Sequence, residues 1–196
     1  QPDVHSPLPG HDLLAQKVKQ LSIMGGQYPS SAKWGWCECN FCASRAGVPT
    51  PDHVAASQTA AFVTSSLPAN IDVVYLGFEV GVYVKTGAPL TTCAPASNPC
   101  RQALIDFNGP GKGRFSWDPM ATLVAARGAE AAGCSRSNSP GRNSINPRTG
   151  DNAWAVGSPV NQSYLLLKDG RHARQAVDEL LCMPPRHTTP SGRSLA

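Results

Sequence analysis

Three short stretches carry residue types that could do chemistry. Residues 37–42 read Cys-Glu-Cys-Asn-Phe-Cys, residues 117–119 read Trp-Asp-Pro, and Met24-Gly25-Gly26 closes an apolar run. Glu38 is one of only four glutamates, and it stands between two cysteines. A carboxylate in so apolar a setting needs a partner or a ligand. Asn40 can hydrogen-bond beside it or simply turn the chain. Asp118 opens the apolar run Met120–Ala126, where an aspartate can cap free backbone N–H groups and Pro119 suits the first helical turn. Trp117 is either a core aromatic or a face on which a flat ring can stack. Met24 and its glycines also read as the end of a buried strand.

The thiols offer a different chemistry. Cys37, Cys39 and Cys42 admit a zinc site, but a closed site takes four ligands, usually as two separated pairs. Cys93 and Cys100 would have to supply the second pair, and their spacing is too loose for a knuckle. In an oxidising compartment those two could instead close a small disulfide loop. Seven cysteines leave at least one unpaired within the chain. The five histidines form no constellation; His11-Asp12 and Asp52-His53 sit at expected helix starts, where capping explains them.

The elements that must position these residues follow from periodicity. Residues 11–20 predict an amphipathic helix with Leu13, Leu14 and Val18 on one face. Leu21–Met24 predicts a short buried strand. Residues 52–66 predict a helix capped by Asp52, and Ile71–Gly77 a β-branched strand. A turn and short helix follow through Glu79 to Lys85. Helices are expected over 98–107, 118–128 and 171–182, and a hairpin over 151–168, which includes Val160. Residues 86–97 and 133–150 read as linkers rich in Pro, Ser, Asn and Gly. Asp72 reads as a strand-edge residue, and Glu79 as part of a partner surface without a catalytic role. Asn161-Gln162-Ser163 is a glycosylation sequon of a kind frequent by chance.

The alternation of strand and helix argues for α/β layering, with mainly parallel strands under flanking helices. The strands visible in the sequence are too few to close such a sheet, so further strands are expected from another chain. A length of 196 residues suits one core. At 41% hydrophobic and 15% charged the composition folds. The net charge of +4 is scattered, without a basic run, which argues against a nucleic-acid surface. No apolar stretch approaches the length needed to span a bilayer, and residues 1–7 have neither part of a signal peptide.

Taken in order, Met24-Gly25-Gly26, Glu38-x-Asn40, Leu76-Gly77-Phe78-Glu79-Val80-Gly81 with Thr86-Gly87, and Trp117-Asp118-Pro119 resemble the C-terminal half of the inosine/uridine-preferring nucleoside hydrolase family, of fungal and plant type. The likeness starts near Pro2-Asp3, and Asn146-Pro147-Arg148-Thr149-Gly150 and Trp154 extend it. It implies a partial, Rossmann-like nucleoside-hydrolase layer over residues 1–185, with 186–196 a loose tail. It also implies cleavage of the bond between ribose and base. That reaction needs a grip on the ribose, an activated water and a stabilised leaving base. The family meets the first two with Ca2+ held by aspartates. Carried over, Asp118 would be a calcium ligand and catalytic residue that helps hold the attacking water. Trp117 would lie against the base, Glu38 and Asn40 would bind ribose hydroxyls, and Met24 would line the ribose pocket.

The family's aspartate-rich loop has no counterpart here. The nine aspartates are dispersed, with no Asp-x-Asp or Asp-Asp pair. Ca2+ is therefore expected only if a missing N-terminal half supplies the other ligands. Two readings follow: a ribohydrolase part that is inactive alone and completed by another chain, with a nucleoside as possible ligand, or a non-catalytic structural subunit of hydrolase origin.

Overall fold

A computed structural model describes residues 4–42, 50–157 and 161–184. Asp3 and the Pro2 start of the family likeness, Val160, His187 and the tail at 186–196 lie outside the described residues.

The sheet is built around the β-branched run. Strand β2 (Asp72–Leu76) lies between β1 (Gln20–Met24) and β8 (Gln162–Leu167), parallel to both. Met24 is in register with Leu76, and Tyr75 with Tyr164. Beyond β8 the direction reverses. Strand β5 (Cys134–Arg136) runs antiparallel to the C-terminal part of β8. Strand β6 (Gly141–Ile145) meets the start of β8 at Gly141–Gln162 and pairs antiparallel with β7 (Asn152–Val156). The six strands form one mixed sheet, and β3 (Lys85–Thr86) and β4 (Arg114–Phe115) form a separate ribbon. The helices are α1 (Gly10–Lys17), α2 (Pro51–Ser65), α3 (Phe78–Gly81), α4 (Leu90–Cys93), α5 (Pro99–Asn108), α6 (Trp117–Ala131) and α7 (Gly170–Cys182). The molecule is thus a mixed α/β fold with flanking helices.

Alternation along β2 divides the core. Val74 and Leu76 join Met120, Leu123 and Val124 of α6 and Ala173 and Val177 of α7. Ile71, Val73 and Tyr75 face the other way, against Tyr28, Trp154 and Tyr164. Successive strand side chains point to opposite faces, so a strand buried on both reads as a continuous apolar run. Each fully buried Val or Leu contributes roughly 1.5–3 kcal/mol.

Several expectations are corrected. Residues 151–168 do not form a hairpin: β7 pairs with β6, while β8 crosses to β2. The run Gln162–Leu165 is buried throughout, which suits a strand inside the sheet better than one arm of a hairpin. The stretch 133–150 holds β5 and β6 instead of a linker, and 86–97 contains α4. Thr50, not Asp52, caps α2: its Oγ1 accepts from His53 N–H, and His53 Nδ1 accepts from Thr50 N–H. Asp118 does not cap α6, since it lies inside the first turn, behind Ser116. Asp72 keeps its expected place at a strand end, opening β2, and accepts from the Arg136 guanidinium at 2.6 and 2.5 Å. Cys93 bonds to Cys182 rather than Cys100, and Cys37 bonds to Cys42. With two thiols of its cluster joined, the zinc reading loses its first ligands, and among the described residues no three metal-binding side chains gather. The sequon Asn161 turns its amide inward to Ile71 O at 2.9 Å.

Candidate functional site

The carboxyl ends of parallel strands are where open α/β sheets usually bind ligands. Here β1 ends in Met24, followed by Gly25 and Gly26, and β2 ends in Leu76, followed by Gly77 and Phe78. Gly26 has a φ of 76°. A Cβ there would lie 2.6 Å from the Phe41 ring and 3.0 Å from the Asn152 amide, so glycine alone suits the turn. Phe78 N–H donates to Gly26 O at 2.9 Å and ties the two strand ends together.

Glu38 is 3% exposed. Its Oε2 accepts from Gly26 N–H at 3.2 Å and Asn40 N–H at 3.0 Å, and its Oε1 accepts from the Cys39 thiol at 3.3 Å. The partner expected for a carboxylate in this setting is therefore largely backbone. Asn40 is exposed, and its Nδ2 donates to Met24 O at 3.2 Å and to Met24 Sδ at 2.9 Å. Three of the residues named from sequence, Met24, Glu38 and Asn40, are thus brought together. The Cys37–Cys42 disulfide closes the loop that carries two of them.

Trp117 joins through its neighbours. Its Nε1–H donates to Phe78 O at 3.0 Å, and its ring stacks on Phe78 with centroids 5.3 Å apart. Trp34 and Trp36 meet the same Phe78 ring edge-on, at 5.7 and 4.9 Å. The Phe115 ring lies tilted to Trp117, with centroids 5.4 Å apart. The result is a partly exposed aromatic wall that can offer faces to a flat ligand ring.

Asp118 stands elsewhere. It is exposed and lines a groove of about 420 Å³ between α6 and α7, beside Leu123, Leu180 and Leu181. No second carboxylate lines that groove, so the residues present do not fit a calcium cage, which takes six to eight oxygens.

Sequence reasoning missed two parts of the site. The first is the aromatic collar, although Trp34-x-Trp36 just before Glu38 was a readable cue. The second is Glu79, whose Oε1 accepts from Tyr28 N–H at 3.3 Å while Oε2 is buried without a hydrogen-bond donor among the described residues. Burial pushes its carboxyl up from the ordinary 4.5 to about 7, opposed by its hydrogen bonds and by Lys33, and Glu38 adds a smaller rise. The late motifs are structural: Asn146 Oδ1 accepts from Arg148 and Thr149 N–H in the turn between β6 and β7, and Trp154 packs in the core with its Nε1–H on Ser139 O.

No known family matches the chain as a sequence model, and no characterised protein matches it.

Proposed function

We propose that this chain is the C-terminal part of a nucleoside N-ribohydrolase-like fold, inactive alone, that contributes ribose- and base-binding residues to a site completed by another polypeptide. The observation that carries the reading is the convergence of Met24, Glu38 and Asn40 at the end of β1, beside the Phe78–Trp117 stack. Glu38 and Asn40 supply an acceptor and an amide for sugar hydroxyls, and the indole supplies a face for a base. Ca2+ would enter such a site only on carboxylates that this chain does not gather among its described residues. Asp118, the one residue the resemblance offers as a ligand, lines the α6–α7 groove instead, so the completing polypeptide would have to supply the carboxylates. Strand β1 is where that partner would join, because among the described residues it pairs with β2 alone.

The second reading, a non-catalytic structural subunit, is favoured by one observation. Asp118 opens onto an apolar groove between α6 and α7. In that reading the groove and the β1 edge are both covered by neighbours in an assembly.

Titration of the chain with inosine, followed by tryptophan emission, separates the two. The ribohydrolase reading expects a saturable change that Asn40→Ala weakens about tenfold, the loss of one or two hydrogen bonds to ligand. It also expects no hypoxanthine release with calcium until a polypeptide carrying an aspartate loop is added. An emission response absent in the wild type, or unchanged in Asn40→Ala, leaves only the structural reading. Free base released by the chain alone would refute the claim that it is inactive by itself.

A further inference from the structure

A second pocket opens on the same rim of the sheet, outside the carboxyl end of β8. It measures about 760 Å³ and is lined by Lys85, Lys168, Arg171 and Arg174, with Tyr83 and Phe115 as its aromatic part. Lys168 directly follows β8, and Lys85 opens β3. Arg171 and Arg174 stand three apart on α7 and therefore share a face. The four cations come from two separate parts of the chain and meet in one concavity.

The single carboxylate in the lining, Asp169, attracts Arg171 and leaves most of the positive charge unbalanced. Asp169 Oδ1 accepts from the N–H groups of Arg171 and His172 at 3.0 Å each, so it is committed to capping α7. The helix end is thereby occupied, and the attraction for an anion comes from side chains. Among the described residues, Lys168 and Arg174 make no side-chain ion pair, and Lys85 Nζ lies 4.7 Å over the Phe115 ring.

We infer that this pocket binds a phosphate-bearing small molecule. The charge argues for phosphate: two guanidinium forks and two ammonium groups match a group carrying two or more negative charges better than a lone carboxylate. The shape argues for a small molecule. The volume lies within the range of ligand pockets, and the cations converge instead of following a stripe as they would for nucleic acid. Tyr83, which is 71% exposed, gives the carbon part of such a ligand a face to lie on. The inference does not rest on the ribohydrolase reading: of the residues placed in that site only Phe115, next to Trp117, also lines this pocket, and none of the four cations belongs to it.

Calorimetric titration of the full chain with pyrophosphate and with adenosine monophosphate tests it. At least one should bind, more weakly as salt rises. Arg171→Ala/Arg174→Ala should weaken binding at least about tenfold, as the loss of two charge-assisted contacts requires. Lys17→Ala/Lys19→Ala, which removes equal charge elsewhere, should change it by less than about twofold. Circular dichroism of both variants should match the wild type, because all four side chains are exposed. Four outcomes would overturn the inference: no binding of either probe, equal binding by the arginine variant, equal loss in the lysine variant, or a clear preference for an oligonucleotide over both probes.

Discussion

The two faces of the central sheet are packed with different materials. Beneath α6 and α7 the core is aliphatic: Val74, Leu76, Leu165, Met120 and Val124 are each no more than 1% exposed. On the opposite face Tyr28, Tyr75, Tyr164 and Trp154 interlock, with the Tyr28 and Tyr164 rings stacked at 5.1 Å. That face is also threaded with polar groups. The Asn152 amide joins Gln27 to Asn143, while the Gln27 amide and the Tyr28 hydroxyl find no hydrogen-bond partner among the described residues. The hydrophobic driving force has no preferred direction, whereas hydrogen bonds do and so fix a chain's path. The first face therefore supplies stability. The second holds the turn from Gly26 to Tyr28, and through it the Glu38 loop, in one geometry.

The disulfides offer the largest test of that division. Cys93–Cys182 spans 89 residues and ties α4 to the end of α7, whereas Cys37–Cys42 spans 5. On chain-entropy grounds Cys93→Ser/Cys182→Ser should cost about 4–5 kcal/mol and Cys37→Ser/Cys42→Ser about 2 kcal/mol. Urea unfolding of the two variants checks the order, and a reversed order would break the comparison. Next comes Leu165→Ala in the aliphatic core, expected to cost about 2–5 kcal/mol in the same assay.

Glu79 sharpens the contrast from the polar side. Its folded pKa, about 7, exceeds the ordinary 4.5, so the folded state keeps a proton that the unfolded chain releases. Stability from this group is whole below pH 4.5, and it falls as pH rises through 7, by up to roughly 3 kcal/mol. Glu79→Gln should flatten that slope and melt above the wild type at pH 8, as thermal unfolding across the window would reveal. The smallest effect is expected for Tyr28→Phe. Deleting a buried hydroxyl without a partner should leave stability within about 1 kcal/mol of the wild type, or raise it. A loss beyond that would mean the hydroxyl is held after all.

The aliphatic half of the fold was the legible half. The runs at 71–77, 120–126 and 171–182 each announce one period, and each became the element expected. Strand β6 was hidden because its inward residues are Gly141, Asn143 and Ile145, a pattern that mimics a loop. Asn143 is buried there with its backbone N–H on Gln162 Oε1 and its Oδ1 accepting from Asn152, ties that a local reading cannot see. The candidate site shows the same split. Glu38 was conspicuous as a carboxylate among thiols. Asp118 looks the same in sequence whether it binds a metal or faces solvent, and Glu79 is buried by Tyr28, which lies 51 residues away.

Strand β1 has a practical consequence. Gln20-Leu21-Ser22-Ile23-Met24 holds neither a charged residue nor a proline, the usual deterrents at an exposed sheet margin. A preparation of this polypeptide by itself should therefore grow stickier with concentration. Light scattering that rises as the solution is concentrated, and falls when a short peptide of the same five residues is supplied in excess, would identify that seam as the cause.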